Sequence, residues 1–201
     1  MSKVLYIKAN VKPEGMSRTY KISDAFIDAY KEENPEDEII TLDLYEEKIK
    51  FLEFSDLGVV FGPKNEESRN HPILKYAYQF AEVDKYVVAA PMWNLSIPAI
   101  LKAYIDYVSV TGITFKYTET GSVGLCKGKK ALHIAARGGG YSNGQASEME
   151  MGSRYLKAIF TFMGIEDFNT IAAETLDVEG QDVTGIVNEA IGKAKEAAKE
   201  F

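Results

Sequence analysis

Three short segments carry residues whose types and spacing could do chemistry. Ser17-Arg18-Thr19 gathers two hydroxyls and a guanidinium in one run at the start of a helical stretch. With the unpaired amides of a helix N-terminus, such a run can hold a dianionic phosphate. It is not a Walker loop, since no Gly-Lys-Ser/Thr is present, and Gly15 stands alone where a dinucleotide fingerprint needs three glycines. Taken by itself, Ser17 reads equally well as a plain helix cap.

The second segment is Pro91-Met92-Trp93-Asn94-Leu95-Ser96-Ile97-Pro98. An indole face can flank a flat heterocycle, and an asparagine offers both a donor and an acceptor to a ring edge bearing both kinds of group. A core tryptophan beside a turn asparagine is the competing explanation. The third segment, Ala136-Arg137-Gly138-Gly139-Gly140-Tyr141, removes three consecutive side chains. Backbone N–H groups can there come close to a ligand and stabilise negative charge developing on a ring carbonyl. Alternatively, the glycines make only a flexible connection. One phosphate cradle plus two planar-ring contacts describe a flavin mononucleotide (FMN) site better than a nucleoside triphosphate site.

The elements that must position these loops follow from periodicity. Apolar runs at 4–7, 39–42, 86–91, 131–136 and 168–172 read as strands. Between them the spacing predicts helices over 17–33, 73–82, 97–108, 147–163 and 182–199, with Ser96 as a cap and Pro98 in the first turn of the third. The stretch 51–72 is an irregular excursion rich in Gly, Pro and Asn, and 114–127 is an extended loop with room for a small hairpin. Strands alternating with helices imply an α/β fold: a flavodoxin-like, doubly wound, five-stranded parallel sheet of order 2-1-3-4-5 with helices on both faces. In such a sheet ligands bind beyond the carboxyl ends of the strands, where the three loops converge.

Length and composition bound the rest. The 201 residues, 46% hydrophobic and 26% charged, fit one domain spanning 1–201 with a real core. Twenty-three basic against thirty acidic side chains give a formal charge of −7, which argues against a nucleic-acid binder. One cysteine allows no internal disulfide, and with only two histidines a zinc site is not expected. No apolar run approaches the roughly 20 residues of a membrane span, and the N-terminus has no signal-peptide pattern. A cytoplasmic protein is the expectation. Cys126 reads as an ordinary loop or edge residue, His71 as a surface residue and His133 as a satisfied core histidine.

The blocks SKVLYIKAN, PMWNLSIPAILKAYIDYV, GITFKYTETGSVGL, ARGGGYS and YLKAIFTFMGI occur in this order along nearly the whole chain. Together they resemble the FMN-dependent NADH-azoreductases, the quinone and azo-compound reductases of the flavodoxin-like superfamily. The resemblance implies that Ser17, Arg18 and Thr19 bind the phosphate, with Asn10 where some members have a serine. It implies that Pro91, Met92, Trp93, Asn94 and Leu95 lie along the flavin ring, with Trp93 replacing a tyrosine. Ala136, Arg137, Gly138 and Gly139 match the second ring-binding block, Ala136 standing where a serine or asparagine is usual. Tyr117 and Phe162 correspond to aromatics on the substrate side, Phe162 reaching in from a partner subunit of a homodimer. The implied mechanism is ping-pong: NADH or NADPH transfers hydride to flavin N5 and leaves, and a flat quinone or azo compound then takes the same stacking site. No side chain need act as a nucleophile, because the flavin carries the chemistry.

Two other functions are weighed against this reading. A flavodoxin passing single electrons to a protein partner suits the acidic charge, but such carriers show a Thr-rich phosphate loop that is missing here. Phosphodiester hydrolysis needs an activated nucleophile or a metal, and His71 and His133 supply neither a triad nor a ligand set.

Overall fold

The run Val4-Leu5-Tyr6-Ile7 is buried at every position, so it has no polar face to turn to solvent and must sit inside a sheet covered on both sides. The computed structural model describes residues 1–13 and 15–201 and places this run in β1 (Lys3–Lys8). There follow α1 (Arg18–Glu33), β2 (Glu38–Asp43), α2 (Leu57–Val60), α3 (Glu66–Arg69), α4 (Leu74–Glu82) and β3 (Lys85–Ala89). The chain continues through α5 (Ala99–Val108), β4 (Phe115–Thr118), β5 (Gly121–Gly124), β6 (Lys130–Ala136), α6 (Gly152–Phe162), β7 (Asp167–Ala173) and α7 (Val183–Glu200). Short 3₁₀ turns occupy Phe54–Asp56 and Gln145–Met149.

Five strands pair in parallel in the order β2-β1-β3-β6-β7. Counting only these strands, that is the expected 2-1-3-4-5. The antiparallel pair β4-β5 is the hairpin anticipated after α5 and forms a separate two-stranded sheet. The excursion at 51–72 is less irregular than its composition suggests, because it folds α2, α3 and a 3₁₀ turn. Lys64 supports it by donating from Nζ to the carbonyls of Val59 and Val60 at the end of α2, at 3.3 and 2.9 Å. Helix α6 begins five residues later than expected, since the 3₁₀ turn takes up its predicted first part.

Alternate strand residues join two separate apolar cores. Val4, Tyr6, Val87, Ala89, Leu132 and Ile134 pack with Ile22, Phe26 and Tyr30 of α1 and with Val187, Ala190 and Ala194 of α7. Leu5, Ile7, Tyr86, Val88 and Ala131 pack with residues of α4, α5 and α6. Within the second core Phe80 stacks on Tyr86 at 4.4 Å and meets Phe160 edge-on at 5.5 Å. Each such pair contributes about 1 kcal/mol beyond its buried area.

Parallel pairing puts every strand's carboxyl end on one edge of the sheet, and hydrogen bonds carry the alignment past the strand ends. Ala9 N–H donates to Ala89 O (2.9 Å), Ala90 N–H to Ile134 O (3.1 Å) and Met92 N–H to Ala136 O (3.1 Å). The three candidate loops therefore leave the sheet side by side.

The hairpin is locked to α6 through glycine. Gly124 of β5 lies directly against the backbone of Met163 and Gly164, and Cys126 N–H donates to Met163 O at 2.8 Å. Gly164 takes φ +99, a region that side chains disfavour. Cys126 is thereby drawn into the core rather than left at an edge: it is 1% exposed, and burial pushes its thiol up. His71 is half-buried rather than on the surface, its Nδ1 accepting the Ile73 N–H at 3.2 Å.

Candidate active site

The first loop is built around Ser17, which is fully buried and caps α1: its Oγ accepts the Tyr20 N–H at 3.1 Å. Asn10 ties the end of β1 to this cap. Its Nδ2 donates to Ser17 Oγ (2.8 Å), its Oδ1 accepts the Lys12 N–H (3.1 Å), and its backbone exchanges two hydrogen bonds with the Tyr20 hydroxyl. Asn10 and Ser17 thus shape the loop, leaving one Asn10 amide hydrogen to spare. The first-turn N–H groups of Arg18 and Thr19 donate to no acceptor among the described residues. Thr19 Oγ1 is buried and also lacks a partner there. The Arg18 guanidinium is aimed by a contact 159 residues away, donating from Nη1 to Asp177 Oδ1 (2.9 Å) and to Leu176 O (3.2 Å). Glu14 of this loop lies outside the described residues.

The second loop turns tightly. Trp93 N–H donates to Ser96 O (2.8 Å) and Ser96 N–H to Trp93 O (2.9 Å), with Asn94 at φ +47 and Leu95 at φ +70 between them. Two successive left-handed residues make the tightest two-residue reversal. Asparagine tolerates that conformation, but leucine adopts it at a cost of about 1–2 kcal/mol. The strained turn is held from outside by Met151 N–H, which donates to Leu95 O at 2.8 Å. Because its backbone closes this turn, Ser96 does not cap α5; Pro98 stands at the cap and no side chain bonds there. Trp93 is half-buried, with its loop facing the third segment.

In the third loop, Gly138 packs under the Asp177 carboxylate: a Cβ would lie 2.6 Å from Asp177 Oδ2 and would push that exposed side chain aside. The N–H groups of Gly138, Gly139 and Gly140 donate to no acceptor among the described residues. Arg137 behaves differently from its neighbours. It is 4% exposed, with its guanidinium turned inward onto Glu174 (2.8 Å), Ser153 (2.7 Å) and Glu150 (3.4 Å).

Asn10, Lys12, Arg18, Thr19, Pro91, Met92, Trp93, Ala136, Arg137, Gly138, Leu176 and Asp177 line one cleft at this edge. A profile described as a flavodoxin-like fold matches residues 2–198. Over its full length the chain is 67% identical to all of an FMN-dependent NADH:quinone oxidoreductase of Clostridium beijerinckii. The chain belongs to this flavodoxin-like family. Among solved structures, an azoreductase of Bacillus anthracis superposes with a TM-score of 0.90 at 36% identity, covering all of both chains. An FMN-dependent NADH-azoreductase of the same organism, solved in complex with FMN, gives a TM-score of 0.89 at 33% identity, covering 100% of this chain and 99% of that one.

Of the residues the family resemblance singles out, Asn10, Arg18, Thr19, Pro91, Met92, Trp93, Ala136, Arg137 and Gly138 meet in the cleft. Ser17 lies beneath its wall, while Asn94, Leu95 and Gly139 sit outside the lining. The Arg137 guanidinium is turned inward, so this residue presents its backbone to the cleft. Tyr117 and Phe162 lie away from the cleft, meeting on Phe115 with ring centroids at 5.5 and 4.7 Å. Sequence reasoning missed Lys12, Leu176 and Asp177. The rule that ligands bind beyond strand ends should have flagged the last two, since they follow β7.

Beneath the cleft lies His133, 2% exposed, with Nε2 3.1 Å from Ala90 O and Nδ1 3.0 Å from Ser153 Oγ. It is the satisfied core histidine expected. Burial pushes its pKa down to about 4, with the Arg137 charge adding to the effect and the bond to Ala90 opposing it. The ring is neutral at pH 7.

Proposed function

We propose that this chain is an FMN-dependent NADH:quinone oxidoreductase that also cleaves aromatic azo compounds to amines, and that residues 1–201 form a single FMN-binding domain. The observation that carries the reading is the buried Thr19 hydroxyl, without a partner among the described residues, set beside two first-turn N–H groups that likewise have none there and the Arg18 guanidinium. A buried hydroxyl without a partner is costly unless a ligand supplies one. A phosphate monoester supplies acceptor oxygens for all of these donors at the positive end of a helix. The same cleft continues along Trp93 and Gly138, where a flat ring can rest.

When bound, FMN supplies reversible two-electron chemistry between NADH and the acceptor. The protein's part is positional and electrostatic. Arg18 and the start of α1 would neutralise the phosphate, and the Thr19 hydroxyl would donate a hydrogen bond to it. Met92, Trp93 and Gly138 would hold the ring, and the Gly138 amide would be placed to stabilise negative charge on it. A flat stacking platform along Trp93 would accept many planar substrates. Specificity is correspondingly loose. NADH is the donor favoured by the names of the relatives.

The reading extends to assembly. The exposed Tyr117, the half-exposed Phe162 and the exposed Phe51, Phe54 and Phe61 are apolar surface suited to a homodimer whose active sites lie at the interface. It also takes the two apolar cores as helix layers on both faces of the sheet. A cytoplasmic location accords with the acidic composition and single cysteine; no helix among the described residues is long and apolar enough to cross a membrane.

Mixing the purified, FMN-loaded protein with NADH without oxygen is expected to bleach the visible flavin band in one rapid two-electron phase, and benzoquinone should restore it. A protein that stays colourless with FMN would refute the assignment; a band that NADH leaves unchanged would turn it into an electron carrier. Replacing Thr19 by the isosteric valine gives a second check with effects of opposite sign. Deleting an unpartnered hydroxyl should leave the FMN-free protein as stable or slightly more so, whereas FMN affinity should fall about tenfold with the lost charge-assisted hydrogen bond. Thermal unfolding without FMN and fluorescence titration with it measure the two.

A further inference from the structure

Three consecutive glycines cannot hold their own loop in place: the Thr175, Leu176 and Asp177 N–H groups fix its start by donating to Gly139 O, Arg137 O and Gly138 O at 3.1, 3.2 and 3.0 Å, which leaves the Tyr141–Ser142 end to be held. The structure places Glu174 there. Directly after β7, its Oε1 accepts the Tyr141 N–H at 3.0 Å and its Oε2 the Ser142 N–H at 3.2 Å, so each carboxylate oxygen holds one loop amide. Glu174 is in turn held by Arg137 Nη1 at 2.8 Å. Burial acting alone would push its carboxyl up, but the hydrogen bonds from Arg137 and from the loop outweigh that and leave it below the usual carboxylate range.

From Arg137 the connection runs on in one direction. Its Nη2 donates to Ser153 Oγ at 2.7 Å. His133 Nε2 faces a carbonyl, Ala90 O, which can only accept, so Nε2 carries the hydrogen. Nδ1 of the neutral ring therefore accepts, and the Ser153 hydroxyl donates to it at 3.0 Å. Glu150 completes the cluster, its Oε1 lying 3.4 Å from Arg137 Nη2 while it accepts the Ser153 N–H at 2.8 Å. Within this hydrogen-bonded cluster, Arg137 Nε has no partner among the described residues. The two ends of the chain are the amides of the loop after β6 and the last carbonyl before the Pro91–Leu95 loop. These are the two segments that enclose the ring in the reading above.

We propose that Glu174 is a positioning residue for the flavin reaction: through the Tyr141 and Ser142 amides it sets the glycine loop against the ring, and the Arg137–Ser153–His133 chain keeps that loop in register with the Pro91–Leu95 loop. The inference rests on the FMN reading. Within it the Arg137 side chain acts through Glu174.

The test is Glu174→Gln, which keeps one oxygen to accept but turns an NH₂ group toward the second loop amide or toward Arg137. Its FMN dissociation constant by fluorescence quenching is expected to rise about tenfold, as for one lost charge-assisted hydrogen bond. The visible band of the bound flavin and its two-electron midpoint potential should both move from the wild-type values, and kcat should fall more than KM changes. Glu174→Asp retains the charge with a shorter reach, should recover part of the affinity, and replaces the Gln variant under the same criteria if that one does not fold. Unchanged dissociation constant, band and potential in the variant overturn the proposal, even if its thermal midpoint drops. Wild-type protein that fails to bind FMN at all overturns the parent reading instead, and this inference with it.

Discussion

Gly124→Ala is expected to destabilise the protein by about 3 kcal/mol, the upper end for atoms forced into closed packing. An added Cβ would lie 2.2 Å from Gly164 N, 2.3 Å from Met163 C and 2.5 Å from Gly164 Cα. Every one of these atoms is backbone, so no side chain can swing aside and the hairpin must lift from the end of α6. That movement stretches the Cys126 N–H bond to Met163 O and parts Phe115 from Phe162. For a chain of this size the loss corresponds to a fall of about 10 °C in Tm. Gly128→Ala is the informative contrast. It has φ +74 with nothing near its Cβ, so it carries only backbone strain of about 1 kcal/mol. Equal midpoints for the two variants in urea or thermal unfolding would mean that the glycine-on-glycine contact is not as close as described.

Acid is expected to remove about 3 kcal/mol of stability through His133 alone, between roughly pH 6.5 and pH 4. The sign follows from proton counting. In this window the unfolded chain takes up a proton on His133 that the folded chain, with its pKa lowered to about 4, does not. Protons therefore favour unfolding, and stability falls as pH falls until the folded form is protonated too. The groups around the ring set the size of the effect. Burial and the Arg137 charge disfavour the imidazolium, while Ala90 O and Glu150 favour it. A His133→Gln variant should be less stable than the parent at pH 7, having lost the fit to Ser153 and Ala90. Its stability should also depend less on pH, so that the two curves converge near pH 4. Parallel curves from chemical denaturation across pH 4–7 would show that His133 is not the group responsible.

Much of the framework was readable because burial on both faces leaves a direct trace. Val4–Ile7 and Tyr86–Ala90 are unbroken apolar runs and Ala131–Ala136 is broken only by His133, and each became a strand within a residue or two of expectation. Ser17 was recognisable as a cap because capping is local: the hydroxyl and the amide it satisfies are three residues apart. Ser96 misled for the converse reason. Its residue type suited a cap, but the neighbouring left-handed pair claimed its backbone for a turn. The direction of the Arg137 side chain was not legible at all. It depends on Glu150 and Glu174, which belong to other elements and follow no spacing rule. Asp177 could have been placed at the site by its position after β7, but nothing local to Arg18 announces it as that residue's partner. The short helices of 51–72 are too brief for periodicity to register.

The clasp between Arg18 and Asp177 has a consequence for biosynthesis. The two residues lie 159 positions apart, so the wall they form does not exist until nearly the whole polypeptide has left the ribosome. Nascent chains released early carry the capped first helix but not the opposite side of its groove, and contacts this distant in sequence are among the slowest to form. On the proposed reading, loading of FMN is then an event of the finished polypeptide, and truncated translation products are expected not to sequester it.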